Sequence, residues 1–361
     1  MSTTLPNDQE AVSFLEELVR IPSPSGKEAQ VAHAAVDAMS RWGFHAEVDA
    51  AGNAVGILGE GKRTVMLLGH IDTVSGHVPV HREGDILYGR GAVDAKGPFA
   101  AFCVAAARAS VLDRMRIVVV GAVEEEAATS AGAYHIVRTH SPADAVIIGE
   151  PSRWDRVTLG YTGRLLVEYH LERPMAHTAG REISVCESAV DYWLAVQTWA
   201  EAFNRGRTGA FATLDPSLRQ ISSDSDGLRE WVAMRIGLRL PLGLDSDDLT
   251  HKLEQEWPGQ ARVSLHGREQ PFRAEKRNVL TSAFLASVRA EGSRATFVTK
   301  TGTSDMNVIG PRWGCPIVAY GPGDSAYDHT PDEQIDLDEY LRAIRVLTAV
   351  LTRLGDTLGT R

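Results

Sequence analysis

The chain has 361 residues, too many for one small core and enough for two domains, or for one large domain carrying an insertion. Hydrophobic residues make up 43% and charged residues 23%, ordinary globular values that exclude a disordered chain and a disulfide-stapled mini-protein. A formal net charge of -10 with no long basic run argues against a nucleic-acid partner, because neutralising phosphates needs an excess of Lys and Arg on some face.

The N-terminal stretch has no positive region followed by an apolar one, and no apolar run is long enough to span a bilayer, so a cytoplasmic address without membrane association is expected. Val12, Leu15, Leu18 and Val19 stand at helical spacing and predict a helix from Asp8 to Val19, stopped by Pro22 and Pro24. A second helix is predicted from Lys27 to Trp42, ended by Gly43. Arg63 to Leu68 is an apolar run too brief for anything but a buried strand. Arg116 to Val120 and Ala143 to Ile148 match it, and Ala-rich helical stretches such as Phe99 to Leu112 separate the runs. Strands that alternate with helices and are buried on both faces imply a parallel α/β sheet.

Between about Arg156 and Gly267 the pattern changes to alternating strands, residues 157–172 and 231–242, with helices from Val185 to Phe203 and from Ser246 to Trp257. A helix from Arg277 to Ala290 then returns the chain to the first sheet, and Pro316 to Tyr320 supplies its fourth run. The expected fold is α/β: a main domain of residues 1–155 and 268–361, with a mostly parallel or mixed sheet flanked by helices, and an inserted α+β domain of residues 156–267. Cys103, Cys186 and Cys315 show no paired spacing and read as free thiols in a reducing compartment.

In open α/β sheets ligands bind beyond the carboxyl ends of the strands. Residues there are rich in metal-ligand types: Gly69-His70-Ile71-Asp72 after the first run, Glu124-Glu125-Glu126 after the second, Gly149-Glu150 after the third, and Asp328-His329 after the fourth. Asp94 lies in the Gly-rich stretch from Gly89 to Gly97. Singly, each has an ordinary reading, the histidine as a hydrogen-bonded structural residue and the Glu triplet as a solvated helix start. Together they would repel one another and raise their own pKa values unless cations neutralised them. Two imidazoles and three carboxylates match zinc's preference for nitrogen and oxygen, in a number that suits two ions with one shared carboxylate. A further carboxylate must then take a proton from water and pass it to the leaving amine, and the Glu triplet holds a candidate.

In this order the motifs PSPSGKE, GHIDTV, GRGAVDAKG, VEEE, IIGEPS, AHTAG and DHTPDE resemble the dinuclear zinc hydrolases that include acetylornithine deacetylase, succinyl-diaminopimelate desuccinylase, aminoacylase and glutamate carboxypeptidase. The likeness covers essentially the whole chain. It implies two zinc ions, or cobalt in their place, bridged by Asp94, with His70 and Glu150 completing one site and Glu126 and His329 the other. Asp72 would orient His70. Glu125 is assigned as the catalytic base and Glu126 as the ligand, because the six-residue step from Glu126 to Gly132 fits the family's short gap; Glu124 and Glu125 form the alternative register. In relatives the peptide bond after the bridging Asp is cis, and here Ala95 departs from the larger residue often found there.

The inserted domain resembles the family's lid, which often forms a homodimer contact. His177 matches a lid histidine that reaches the partner subunit's site and stabilises an oxyanion. The segment from Lys300 to Asn307 resembles a substrate-recognition loop in which Ser304 and Asp305 bind an α-amino acid. Arg277 could pair with a substrate carboxylate, with a surface helix-start role as the equal alternative. Among family members the chain looks most like hydrolases that release lysine or ornithine from a small acidic amino-group carrier protein in lysine or arginine biosynthesis. The alternatives are an acetyl-lysine or acetylornithine deacetylase, a desuccinylase and a dipeptidase. A binding protein that has lost catalysis is disfavoured by the intact base and ligand set.

Overall fold

A computed structural model describes residues 5–110, 113–175, 182–209 and 211–358. The chain divides into two compact units, one of Met1–Gly160, Arg273–Thr299 and Ser304–Arg361, the other of Tyr161–Phe272 and Lys300–Thr303.

Among the described residues the larger unit is built on a nine-stranded mixed sheet. Its four central strands lie side by side in the order Met115–Ala122, Arg63–His70, Ala145–Gly149 and Ile317–Tyr320, all parallel. Their apolar runs are buried on both faces, which is why they read as unbroken stretches of Val, Ile and Leu. The register sets His70 against Ala122 and Gly69 against both Gly121 and Gly149. The carboxyl ends are therefore level, and the residues that follow each strand emerge along one edge. His45–Val48 and Ala54–Leu58 extend the sheet antiparallel on one side.

Helices cover the sheet where their side chains allow close approach. Lys96–Arg108 is mostly alanine after its first turn and is buried from Lys96 through Ala107. The closing helix Leu337–Leu358 packs Leu337, Tyr340, Ala343, Ile344, Leu347, Leu351 and Leu354 into the same core, a stripe at helical spacing that the expected elements omit.

Some boundaries differ from expectation. Residues 157–172, expected as one alternating stretch of the inserted domain, are interrupted at Thr162: Arg156–Tyr161 pairs antiparallel with Ile317–Tyr320 in the large sheet, while Gly163–Pro174 enters the second one. A Cβ at Gly163 would lie 2.4 Å from the Glu269 carbonyl oxygen, a close backbone approach that alternation alone does not reveal. The helix expected from Arg277 begins at Val279, because Asn278 caps it by accepting the Thr281 N–H at 2.9 Å.

The smaller unit carries a four-stranded antiparallel sheet in the order Asp215–Ser225, Arg229–Leu240, Gly163–Pro174 and Arg262–Glu269. Leu165, Val167, Tyr169, Val232, Met234 and Ile236 form its core with Tyr192 and Val196 of the helix Val185–Asn204. The helix expected to run to Trp257 ends at His251 and continues as a wider π turn, Lys252–Glu256. Among the described residues no helix is long and apolar enough to cross a membrane.

Gly149 faces Gly69 at the end of the central strands, and a Cβ there would come 2.8 Å from the Gly69 Cα and 2.9 Å from the Phe102 ring. Gly149→Ala is expected to cost about 1–3 kcal/mol through overpacking. In urea unfolding this reads as a lower midpoint with an unchanged slope; an unchanged midpoint would contradict the tight packing inferred here.

Candidate active site

His70 ends the strand Arg63–His70, and its imidazole is almost completely buried. Its Nδ1 lies 3.0 Å from the Asp72 carbonyl oxygen and 3.4 Å from Asp72 Oδ1. Nδ1 faces two oxygens of Asp72, which turns Nε2 toward the opposite side of the ring. Nε2 lies 3.2 Å from Asp94 Oδ1 and 4.0 Å from Glu125 Oε2.

The Asp72 carboxylate, fully buried, also accepts the peptide N–H of Glu125 on Oδ1 and of Glu126 on Oδ2, both at 3.0 Å, and the Ser25 hydroxyl at 2.7 Å. One side chain thus fixes the histidine and the peptides of two glutamates. Glu124 takes the left-handed region at φ 58°. Its N–H donates to Glu28 Oε1 at 3.2 Å, and its carboxylate accepts the Thr129 hydroxyl. The triplet therefore presents Glu125 and Glu126 to the cluster and turns Glu124 outward.

Asp94 precedes the helix Lys96–Arg108, and the Asp94–Ala95 peptide bond is cis. Its Oδ1 faces His70 and its Oδ2 lies 2.9 Å from His329 Nε2. Glu126 Oε1 stands 2.7 Å from the same His329 nitrogen. Two groups of donor atoms result, His70 with Glu125 and Glu126, and Asp94 with Glu126 and His329, each within 4.8 Å. Glu150, buried just past the strand Ala145–Gly149, lies outside both groups, yet its charge acts on Glu125.

The remaining expected site residues fall in different places. Asp305 is buried and its charge also acts on Glu125. The Ser304 hydroxyl accepts the Met306 N–H at 3.2 Å, so it shapes the turn that opens the helix Met306–Trp313. Arg277 does not join the cluster. It is exposed in a groove shared with Lys276, Arg353 and Asp356. Asp356 pairs with Arg114, the residue before the strand Met115–Ala122, so the groove lies at the amino ends of the parallel strands, opposite the edge that carries His70. His177 lies outside the described residues.

Burial pushes the Glu125 carboxyl well above its usual pKa, and Glu150, Glu126 and Asp305 add to the rise against the opposing charge of His70. Burial and the neighbouring Asp94 push Glu126 up to about 7. Hydrogen bonds to Asp94 and Glu126 raise His329 to about 10. Burial disfavours the charged form of His70, but Asp72, Asp94 and Glu125 outweigh it and carry its pKa well above the ordinary value. The cluster thus binds protons strongly, as close carboxylates do when no cation neutralises them. Two imidazole nitrogens and several carboxylate oxygens, with Asp94 offering one oxygen to each histidine, fit a pair of divalent cations of zinc-like preference.

Burial opposes ionisation of Asp72 as well, yet its hydrogen bond to His70, the His70 charge and the Ser25 hydroxyl hold its pKa below the ordinary 3.8. A folded-state pKa below the unfolded one adds stability above the unfolded value and loses it as the pH falls through the folded one. In metal-free protein Asp72→Asn is expected to cost about 1–3 kcal/mol at neutral pH by leaving buried donors poorly paired. The gap from wild type should narrow once the pH drops below 3.8. A gap constant down to pH about 2 would contradict the linkage.

Three contributors carried no role in the sequence reading although their motifs were quoted: Ser25 and Glu28 of PSPSGKE, which hold Asp72 and Glu124, and Glu333 of DHTPDE, which binds the segment before Asp94. Their place inside motifs that also lie beside the ligand-type residues is the signal available for them.

Residues 66–353 match the sequence profile of peptidase family M20/M25/M40. The chain is 45% identical to a LysW-lysine hydrolase of Deinococcus radiodurans, over 98% of this chain and 99% of that protein. It is 36% identical to a Pyrococcus abyssi protein provisionally named a LysW-lysine/LysW-ornithine hydrolase, over 97% of this chain and 95% of that one. The backbone resembles a Staphylococcus aureus tripeptidase at TM-score 0.77, with 17% identity over 98% of this chain and 100% of the other. The chain therefore belongs to peptidase family M20/M25/M40 and is a metal-dependent hydrolase of C–N amide bonds.

Proposed function

We propose that this protein releases lysine, and ornithine as a second product, from the γ-glutamyl terminus of a small acidic amino-group carrier protein, in lysine or arginine biosynthesis. The observation that carries the reading is the near-full-length match to a relative named for LysW-lysine hydrolysis. The geometry supports the chemistry: Asp94 stands between His70 and His329 with two glutamates beside it.

In this proposal His70, Asp94 and Glu150 would hold one zinc ion and Glu126, Asp94 and His329 a second, with cobalt as an alternative. Such ions supply Lewis acidity to the scissile carbonyl and to water. Asp72 holds His70 in the tautomer that presents Nε2, and holds the Glu125–Glu126 turn through its peptide N–H groups. Glu125 takes the proton from the attacking water as its oxygen adds to the γ-carbonyl carbon. When the C–N bond breaks, the same carboxyl returns the proton to the departing α-amine, leaving a carrier carboxylate and free lysine. The buried negative neighbours that raise its proton affinity suit it to that exchange. Asp305 and Ser304 receive the amino-acid portion, and His177 reaches a partner subunit's site to stabilise the oxyanion.

A homodimer through the smaller unit is part of the same reading. Its helix Val185–Asn204 exposes Val190 and Leu194, and its edge strand Asp215–Ser225 exposes Leu218 and Ile221, apolar faces suited to a second copy. The proposed setting is the cytoplasm.

Carrier-linked lysine, acetyl-lysine, acetylornithine and succinyl-diaminopimelate form the decisive substrate panel. Carrier-linked lysine is expected to exceed the others in kcat/KM by about tenfold or more, ~1.4 kcal/mol of transition-state preference. Equal rates on all four would replace the carrier reading with a general deacylase. Glu125→Gln is expected to lower turnover about 10²–10⁴-fold while metal content stays at the wild-type level; near-wild-type turnover would remove Glu125 as the base.

A further inference from the structure

Glu333 follows His329 by four residues and is fully buried. Its Oε1 accepts the peptide N–H groups of Gly91 at 2.8 Å and of Val93 and Asp94 at 3.2 Å. Its Oε2 accepts from Arg90 Nη1 at 2.6 Å, and its own carbonyl accepts the Gly89 N–H at 3.1 Å. Four peptide donors between Gly89 and Asp94 therefore end on this one residue. The wrap requires glycine: Gly91 sits at φ +85°, and a Cβ there would come 2.9 Å from Thr73 Cγ2. Arg90 is anchored in turn by Nε donation to the Gly76 carbonyl at 3.3 Å.

The peptide so gripped is that of the residue whose two carboxylate oxygens face His70 and His329. The same Glu333 sits on the segment that delivers His329, so a single buried side chain fixes two arms of the cluster against each other. We propose that Glu333 is the positioning residue that holds Asp94 midway between His70 and His329, making metal affinity depend on a side chain outside the donor groups. This inference rests on the two-metal reading above.

The test is cobalt(II) titration of the full metal-stripped chain, followed by visible absorption, with thermal unfolding of each variant alongside. Glu333→Leu, similar in size and without an acceptor, is expected to weaken binding of at least one ion about 10–100-fold, with a changed spectrum. Glu333→Gln keeps a carbonyl acceptor and is expected to restore affinity to within about threefold of wild type. A folded Glu333→Leu that takes two ions with wild-type affinity and spectrum overturns the proposal, as does a Glu333→Gln as weak as Glu333→Leu. Should Glu333→Leu fail to fold, Glu333→Asp, which withdraws the same acceptor by one methylene, replaces it: weakened binding supports the role and wild-type affinity overturns it. Wild-type protein that binds fewer than two ions overturns the two-metal reading itself, and this inference with it.

Discussion

The Asp72 carboxylate accepts hydrogen bonds from the peptides of Glu125 and Glu126 and from the Ser25 hydroxyl, and it lies against His70 Nδ1. His70 and the two glutamates meet because the strands that carry them end level with one another, and Ser25 is brought to them by its N–H, which donates to the Thr73 carbonyl. A buried carboxylate is costly unless donors surround it. Here the donors belong to the segments that carry the reactive side chains. Satisfying the carboxylate and positioning the cluster are the same set of contacts.

A similar device recurs on the other side of the site, where Glu333 gathers the peptide donors before Asp94. The outer carboxylates, satisfied by N–H and O–H groups, hold the inner ones, which remain crowded. Glu125 and Glu126 are pushed toward the protonated form by burial and by their neighbours. That imbalance is what a cation relieves. In a two-metal hydrolase the surplus of negative charge becomes binding energy for the ions, while one carboxylate is left to exchange protons with the substrate.

Much of this was legible in the sequence, for reasons that differ by residue. The four apolar runs are unbroken because the parallel strands are buried on both faces, so the residues after them could be assigned to one sheet edge before any coordinates. That placement singles out His70 and His329, while Asp94 is singled out by its Gly-rich stretch and the family resemblance. The proposed division of labour within the Glu triplet rests on family spacing; the left-handed turn at Glu124 with Asp72 gripping the next two peptides, which sets Glu124 apart, leaves no periodic signature. Of the two readings of Arg277, the structure favours the surface one; a basic residue before a helix looks the same in sequence at either end of a sheet. The break at Thr162 was hidden because both flanking strands alternate, and the closing helix was overlooked although its stripe at helical spacing was on display.

In the proposed reading the crowded carboxylates and histidines hold two divalent cations. Metal titration calorimetry at pH about 7, repeated in two buffers of different ionisation enthalpy, tests it directly because ligands must shed protons to bind metal. Glu126 with a pKa of about 7 and His329 with one of about 10 hold protons that incoming ions must displace. The expected result is two ions per chain with net proton release. Binding of one ion or none, or binding of two without proton release, would contradict the account.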